Sequence, residues 1–381
     1  MKIFIIARGY PSKQDPTWGC FEKDQAEALS LLGHQVTILS VDTRFRCYWR
    51  KLGVQFGVHD NIATFNIFLL PYALLFFLPQ KIKNWFYAWQ LEIIYKRAIL
   101  RNGTPDVIYS HYLQNTLKSI PLRQKYNIPI VAMEHWSQMA YTPIPRNTIS
   151  LAKHVYASID QLLTVSSALK ENILRQIGVD SIIVPNMVGN EFHYTEQNNN
   201  KHKTIHLVTT GRLIPEKNFN MLIQAIANIT TLPLELSIIG NGAEKDRLQK
   251  LTKKLHIEDQ VHLLGHKSKK EIVTLLQASD IFVLPSQSET FGVAYIEALA
   301  CGLPIIATDC GGPRDIVTNN NGILIPTNNQ QALEQAIIQM SKNLYSYNKQ
   351  AIAKDCQNRF SAHNVAELIT QIFEKIIKAY S

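Results

Sequence analysis

Residues 281–302 read I-F-V-L-P-S-Q-S-E-T-F-G-V-A-Y-I-E-A-L-A-C-G. A short run of wholly apolar residues ends in Pro285-Ser286, and a second apolar run with helical character opens near Phe291. Buried strand, Gly-containing loop and helix N-terminus in that order form an anion site, because unpaired backbone amides and the helix dipole converge there. Glu289 lies in the loop, and Glu297 follows two turns later among Val293, Ala294, Tyr295, Ile296, Ala298, Leu299 and Ala300. The composition predicts a helix buried all round. A carboxylate inside it needs a hydrogen-bonding partner, since burial without one costs several kcal/mol. An isolated pair of glutamates is more often one backbone-bonded residue and one solvated residue, so the surrounding order of elements has to decide between the two meanings.

That order repeats in both directions. I-H-L-V-T-T-G (205–211), L-E-L-S-I-I-G-N-G (234–242), V-H-L-L-G-H (261–266) and P-I-I-A-T (304–308) are strand-like runs separated by helical ones, the rhythm of a doubly wound α/β domain. Arg212 and Lys217 stand in the loop between the first of these strands and the helix from Phe219, where Arg offers a fork and Lys a point charge for a diphosphate. K-I-F-I-I-A (2–7), a helix from about Phe21 to Leu32, and Q-V-T-I-L (35–39) begin a second domain of the same class. It continues through D-V-I-Y-S (106–110), a helix over 113–125, I-P-I-V-A-M (128–133), L-L-T-V-S (162–166), a helix over 168–177 and S-I-I-V-P-N (181–186). His111 and His135 each follow a strand of this domain, which puts both at the carboxyl edge of the sheet, where open α/β folds bind ligands. Trp136 beside His135 suits either stacking on a sugar ring or packing in the core. Gly9 and Gly19 allow close backbone approach in the loop after the first strand, although such glycines are also ordinary turn residues.

The phrase E-T-F-G-V-A-Y-I-E-A-L-A-C-G-L-P-I-I-A-T followed by Gly311-Gly312 closely resembles the E-x7-E donor-sugar motif of the GT4 family of retaining glycosyltransferases, which have the GT-B fold. The resemblance covers nearly the whole chain, strong from Gly211 to Gly322 and weak from Thr43 to Arg101. It implies two Rossmann-like doubly wound domains facing a cleft: residues 1–187 on the acceptor side, 188–360 binding the nucleotide sugar, and a C-terminal helix, 361–381, packing back toward the first domain. It further implies that Arg212, Lys217, Gly19, Phe291, Gly292 and Val293 bind the donor diphosphate, and that Gly211, Gly240, Gly242 and Glu297 bind the nucleotide. Glu289 and His135 then serve the reacting sugar, with His111 and Trp136 on the acceptor side. The chain departs from the family in three places: Gly19-Cys20 replaces adjacent glycines, Met187 follows Pro185-Asn186 where Gly is usual, and Asp315 stands where Glu is more frequent.

The resemblance implies transfer of a sugar from a nucleotide-sugar donor to a glycan or lipid-linked acceptor. No D-x-D pair bridges a cation to phosphate, so neither metal nor other cofactor is expected. Two readings from other classes share the architecture: a sugar-nucleotide 2-epimerase, which would epimerise donor without acceptor, and a non-catalytic nucleotide-sugar-binding partner.

Composition bounds the rest. With 381 residues, 46% hydrophobic and 18% charged, the chain has the make-up of a two-domain globular protein. Five widely spaced cysteines with no C-x-x-C pair suggest neither a disulfide framework nor a zinc site, and fit a reducing, cytoplasmic compartment. The net charge of +9 is uneven: residues 1–190 carry +8 and residues 191–381 carry +1. Without an RNA-binding aromatic signature or basic helix-turn-helix, nucleic acid is not the expected partner; an anionic membrane or phosphorylated acceptor is. From Phe76 to Arg101, Phe76, Phe77, Trp85, Phe86 and Trp89 alternate with Lys81, Lys83, Lys96, Arg97 and Arg101. The string fits an interfacial helix on a membrane and a core helix with a basic outer face equally. The run 67–79 is too short to span a bilayer and contains Pro71, so no transmembrane helix is expected.

Overall fold

The computed structural model describes residues 1–15, 18–44, 51–69, 77–196 and 204–380. Cys47, Pro71, Phe76 and the Asn198–Asn200 run lie outside them. The chain divides into two compact units, Met1–Val165 with Leu169–Pro185 and Ala362–Ser381, and Ser166–Ala168 with Asn186–Ser361.

The first unit is built on an eight-stranded sheet. Its strands are β1 (Lys2–Ala7), β2 (Gln35–Asp42), β3 (Gly53–His59), β4 (Ile62–Phe68), β5 (Val107–His111), β6 (Ile130–Glu134), β7 (Gln161–Thr164) and β8 (Ile182–Ile183), in the order β3-β4-β2-β1-β5-β6-β7-β8. All neighbours are parallel except β3 and β4. Those two form a hairpin across Asp60 and Asn61, both with positive φ (48° and 65°), the backbone a two-residue type I′ turn requires. Helix α1 (Cys20–Leu31) packs beside the C-terminal helix α13 (Ala362–Tyr380), whose Phe373 ring meets Tyr109 edge-on with centroids 5.1 Å apart. Helix α2 (Gln80–Asn102) lays Tyr87, Leu91, Ile94, Tyr95 and Ala98 against Phe4, Leu39 and Phe65 of the sheet. Helix α3 (Leu113–Tyr126) follows β5.

The second unit carries a six-stranded parallel sheet: β9 (Ile205–Thr210), β10 (Leu234–Ile239), β11 (Val261–Gly265), β12 (Ile281–Leu284), β13 (Ile305–Thr308) and β14 (Gly322–Ile325), ordered β11-β10-β9-β12-β13-β14. Helix α6 (Phe219–Asn228) follows β9, and α9 (Val293–Ala300) follows β12. The central strands read as continuous apolar runs because helices cover both faces, as parallel sheets require. In both sheets the chain winds outward in opposite senses from two central strands, β1 and β5 in the first and β9 and β12 in the second. Ligands of open α/β sheets bind at such switch points, beyond the carboxyl ends of the strands.

Candidate active site

At the switch point of the second unit the loop after β9 meets the loop after β12. The amide of Gln287 donates to the carbonyl of Glu216 at 2.7 Å, which brings the two loops side by side. Lys217 Nζ then donates to Glu289 Oε1, and Ser286 Oγ donates to the same oxygen at 2.8 Å. The lysine and glutamate side chains keep 20% and 11% of their surface exposed, so the pair is sheltered yet open to a ligand. Arg212 is exposed, with no carboxylate paired to it among the described residues. A cation and a carboxylate thus meet in the loop that leads into a helix, and α9 opens at Val293 with Gly292 in the left-handed region (φ 104°) as its cap. The first amides of such a helix have no intrahelical acceptor and are free to meet an anion.

Glycines hold these loops together. A Cβ on Gly240 would lie 1.8 Å from the carbonyl oxygen of Gly211, at φ +147°, and one on Gly242 would lie 2.3 Å from that of Leu213. The space these two residues leave is filled by the neighbouring loop's backbone: Leu213 donates its amide to Asn241 at 2.9 Å. Gly312 likewise sits against Phe291, and its amide donates to the carbonyl of Glu289 at 2.9 Å. Gly240→Ala is therefore expected to destabilise the second unit by about 4 kcal/mol or more, the range reached only by severe overpacking and backbone strain. Chemical denaturation followed by circular dichroism measures the loss, and a change below about 1 kcal/mol would contradict this packing.

Helix α9 is not buried all round. Tyr295, Ile296, Ala298, Leu299 and Ala300 are buried, whereas Val293, Ala294 and Glu297 are half-buried. These three share one face by their spacing of one, three and four residues. The carboxylate of Glu297 therefore does not bear the full desolvation cost that an all-apolar surrounding suggests. Tyr295 anchors the opposite side, its hydroxyl donating to the carbonyl of Leu284 at 2.7 Å.

The first unit gathers a separate set of side chains at its own switch point. Arg8, just past β1, donates through Nε to Glu22 Oε1 at 2.9 Å and through Nη2 to Oε2 at 3.3 Å. Glu22 is fully buried; burial pushes its carboxyl upward, but the charge and hydrogen bonds of Arg8 outweigh that and hold it at about 2. Trp18 Nε1 donates to the carbonyl of Arg8 at 2.8 Å, and the guanidinium lies 4.0 Å from the Tyr112 ring centre. Gly19 caps α1 at φ +80°, where a Cβ would lie 2.2 Å from the carbonyl oxygen of Gly9. Burial pushes the thiol of Cys20 up to about 11, so it is a protonated, unreactive group at neutral pH.

His111 ends β5 and His135 follows β6, with His111 Nδ1 3.2 Å from His135 Nε2. His111 has no exposed surface, so it touches His135 and not solvent, whereas His135 keeps 7%. Burial pushes His111 down to about 4, against an upward pull from Glu22 and with a further downward push from Arg8. Of the two facing nitrogens, one donates and the other accepts. The buried Nε2 of His111 has no partner. Glu134 holds the segment in place, accepting from the amides of Leu113 and Trp136 at 2.9 and 2.8 Å and from the Tyr156 hydroxyl at 2.8 Å.

A histidine kept neutral by burial disfavours the fold when acid must charge it. Its folded value lies below the unfolded value of about 6.5, so stability present above pH 6.5 is lost as pH falls toward 4. The loss is expected to be a few kcal/mol and to shrink in His111→Gln, read as the difference between the two proteins in urea denaturation over that range; equal slopes would contradict it.

The residues that motif reading singled out thus fall into two groups. Arg212, Lys217, Glu289, Phe291, Gly292, Val293 and Glu297 are gathered with Gly211, Gly240 and Gly242 in the second unit, and Gly19, His111, His135 and Trp136 lie in the first. Arg8, Glu22 and Glu134 went unread. The signal for Glu22 was present as a charged residue on the otherwise inward face of α1, beside buried Gln25, Ala26 and Leu29.

Comparison with known proteins accords with these elements. The model for glycosyl transferases group 1 matches residues 191–355, and that for glycosyltransferase family 4 matches residues 23–191. A putative teichuronic acid biosynthesis glycosyltransferase, TuaC of Bacillus subtilis, is 28% identical over 361 residues, spanning 88% of each chain. Among solved structures, sucrose-phosphate synthase from Thermosynechococcus elongatus is similar with a TM-score of 0.79 at 20% identity, over 99% of both chains. Anabaena HepE, in complex with UDP-glucose, is similar with a TM-score of 0.73 at 17% identity, over 98% of this chain and all of that one. The two family models take in nearly all of the chain, which belongs to the family 4, group 1 glycosyltransferases of GT-B fold.

Proposed function

We propose that the protein is a retaining, metal-independent hexosyltransferase that moves a sugar from a nucleoside-diphosphate donor to a glycan acceptor, lipid-linked or part of a surface polysaccharide. The observation that carries the reading is the Lys217–Glu289 pair, which joins the loop after β9, where exposed Arg212 also stands, to the loop that leads into α9. Arg212, Lys217 and the amides of Phe291, Gly292 and Val293 stabilise the departing diphosphate, in which negative charge develops. Gly211, Gly240 and Gly242 shape the nucleotide's surroundings, and Glu297 accepts from the ribose hydroxyls. Glu289, oriented by Lys217 and Ser286, accepts from sugar hydroxyls and sets C1 for attack. His135, beside His111, bonds a sugar hydroxyl, and Trp136 meets the acceptor. That HepE binds UDP-glucose supports a hexose on a nucleoside diphosphate as the donor class.

In this mechanism the acceptor oxygen bonds to C1 on the face that the leaving group departs from, the bond from C1 to the diphosphate oxygen breaks, and that oxygen takes the acceptor proton. Product analysis by nuclear magnetic resonance should show the donor's anomeric configuration kept, at a rate unchanged by chelator. An inverted anomer sinks retention, and a rate abolished by chelator sinks metal independence.

The acceptor class draws support from α2. Ile82, Trp85 and Trp89 are 47%, 68% and 46% exposed on one stripe, near exposed Lys81 and half-buried Lys83. Arg97 and Arg101 extend the basic face, Arg101 lying over the Phe56 ring at 3.9 Å. Rings at headgroup depth with cations on lipid phosphates give peripheral binding to an anionic membrane. Among the described residues no helix is long and apolar enough to cross one. Changing Lys81, Lys83, Arg97 and Arg101 to Glu is expected to abolish sedimentation with anionic phospholipid vesicles, and equal binding would contradict the membrane reading.

A further inference from the structure

A cavity of about 390 Å³ opens at the switch point of the first unit, lined by Arg8, Trp18, Arg44, Asn115, Lys118 and Trp136 among others. Its cations are not alike. Arg8 is paired with Glu22, and Arg44 with Asp15 and Asp42. Lys118 has no carboxylate partner among the described residues; its ammonium rests 3.8 Å from the centre of the Tyr87 ring. One turn earlier on α3, Asn115 is 95% buried, with its Oδ1 accepting from the Tyr87 hydroxyl at 3.3 Å and its Nδ2 meeting no acceptor. Both residues line the cavity, Asn115 with a buried amide donor that meets no acceptor and Lys118 half-buried with its ammonium over Tyr87. The unmet buried amide of Asn115 costs about 1–3 kcal/mol, so the fold keeps it at a loss.

Resting on the reading of the first unit as the acceptor side, we propose that this cavity binds an acceptor sugar bearing an anionic oxygen group, a carboxylate or a phosphate, with Lys118 and Asn115 as its recognition pair. The carboxylate or phosphate oxygens accept from Lys118 Nζ and Asn115 Nδ2 together. Trp136, which lines the cavity, supplies a flat face on which a sugar ring packs. The cavity lies at the small end of ligand sites, about 300–1,000 Å³, which suits one substituted ring and not an oligosaccharide. Burial alone pushes Lys118 down to about 8, the state of an ammonium that lacks the counter-ion the ligand brings. Nothing in the pairing of Arg8 or Arg44 asks for a further anion, which is why Lys118 rather than either arginine sets the specificity.

Titration of the full-length protein, followed by tryptophan fluorescence because Trp18 and Trp136 line the cavity, compares methyl β-glucuronide, glucose 6-phosphate and the neutral methyl β-glucoside. At least one charged sugar should bind about tenfold or more tightly than the glucoside, as a charged hydrogen bond of about 1.5–3 kcal/mol provides. Which one binds separates carboxylate from phosphate. In Lys118→Met, and in the milder Asn115→Ser should that variant fail to fold, the preference should fall to about twofold. Equal binding of the neutral sugar, or a preference that survives in Lys118→Met, would overturn the proposal. UDP titrated into the same samples keeps the two readings apart: nucleotide binding without any charged-sugar binding rejects the proposal and leaves the donor site standing, whereas the reverse rejects the donor site alone.

Discussion

Lys217→Met is expected to lower kcat/KM with the nucleotide sugar by about 10²–10³-fold, the cost of removing one preorganised group from a site where charge develops. The side chain has two tasks in the proposed mechanism. It neutralises diphosphate, and it holds Glu289 through Oε1, an oxygen that Ser286 also reaches at 2.8 Å. Methionine keeps the length of the stem while removing the charge, so α6 and the loop before it should keep their packing. Glu289→Gln separates the two tasks, because glutamine still accepts from Ser286 and still bonds sugar hydroxyls but no longer pairs with an ammonium. A variant affected mainly in kcat marks an interaction made in the transition state, whereas one raising KM alone marks uniform binding. Lys217→Met retaining more than about a third of wild-type kcat/KM would mean that Arg212 and the amides at the start of α9 suffice without it.

Glu22→Gln is expected to destabilise the first unit by about 3 kcal/mol, the low end of breaking a buried ion pair, because the side chain of Arg8 remains 25% exposed. The neutral amide leaves a guanidinium that stacks on Tyr112 and Trp18 but has lost its counter-charge. Replacing both members, Arg8→Met with Glu22→Met, should recover part of the loss, since an apolar pair leaves no unmatched charge. The same pair gives a signature in acid. The folded value of Glu22, about 2, lies below the ordinary unfolded value of about 4.3, so its contribution is complete above pH 4.3 and disappears as pH falls toward 2. That window lies below the one set by His111, so two separate acid-dependent losses are expected in the first unit. Urea denaturation from pH 7 to pH 3 reads both, and a Glu22→Gln curve parallel to wild type throughout would contradict the assignment.

Much of the second unit was legible because its physics is local. A parallel strand covered on both faces must be apolar throughout, so I-F-V-L and P-I-I-A-T announce themselves, and the helix after Gly292 follows from the left-handed backbone that glycine permits. The hairpin of β3 and β4 was missed although its turn is coded by Asp60-Asn61. Its edge strand is half-exposed or exposed along its whole length, so no alternation of buried and open positions marks it. Burial was misread at Glu297 for a related reason: composition gives the apolar content of α9 but not which stripe the neighbouring elements leave open. Lys118 and Asn115 looked like ordinary helix residues. What distinguishes them is that α2 brings Tyr87 over both, a contact between residues about thirty positions apart. The roles of Gly240 and Gly242 were similarly hidden, because the backbone they admit comes from another loop of the same unit.

In the proposed function Arg212 and Lys217 hold a nucleoside-diphosphate sugar for Glu289. Thermal unfolding of the purified protein with UDP-, GDP- and ADP-sugars, each repeated with Arg212→Ala, tests it most directly, since a ligand that binds only the folded state raises stability by mass action. The account predicts that one nucleotide family raises the melting temperature of wild type and that the rise disappears in Arg212→Ala. An equal rise in wild type and in Arg212→Ala would contradict it, because the diphosphate would then be held elsewhere.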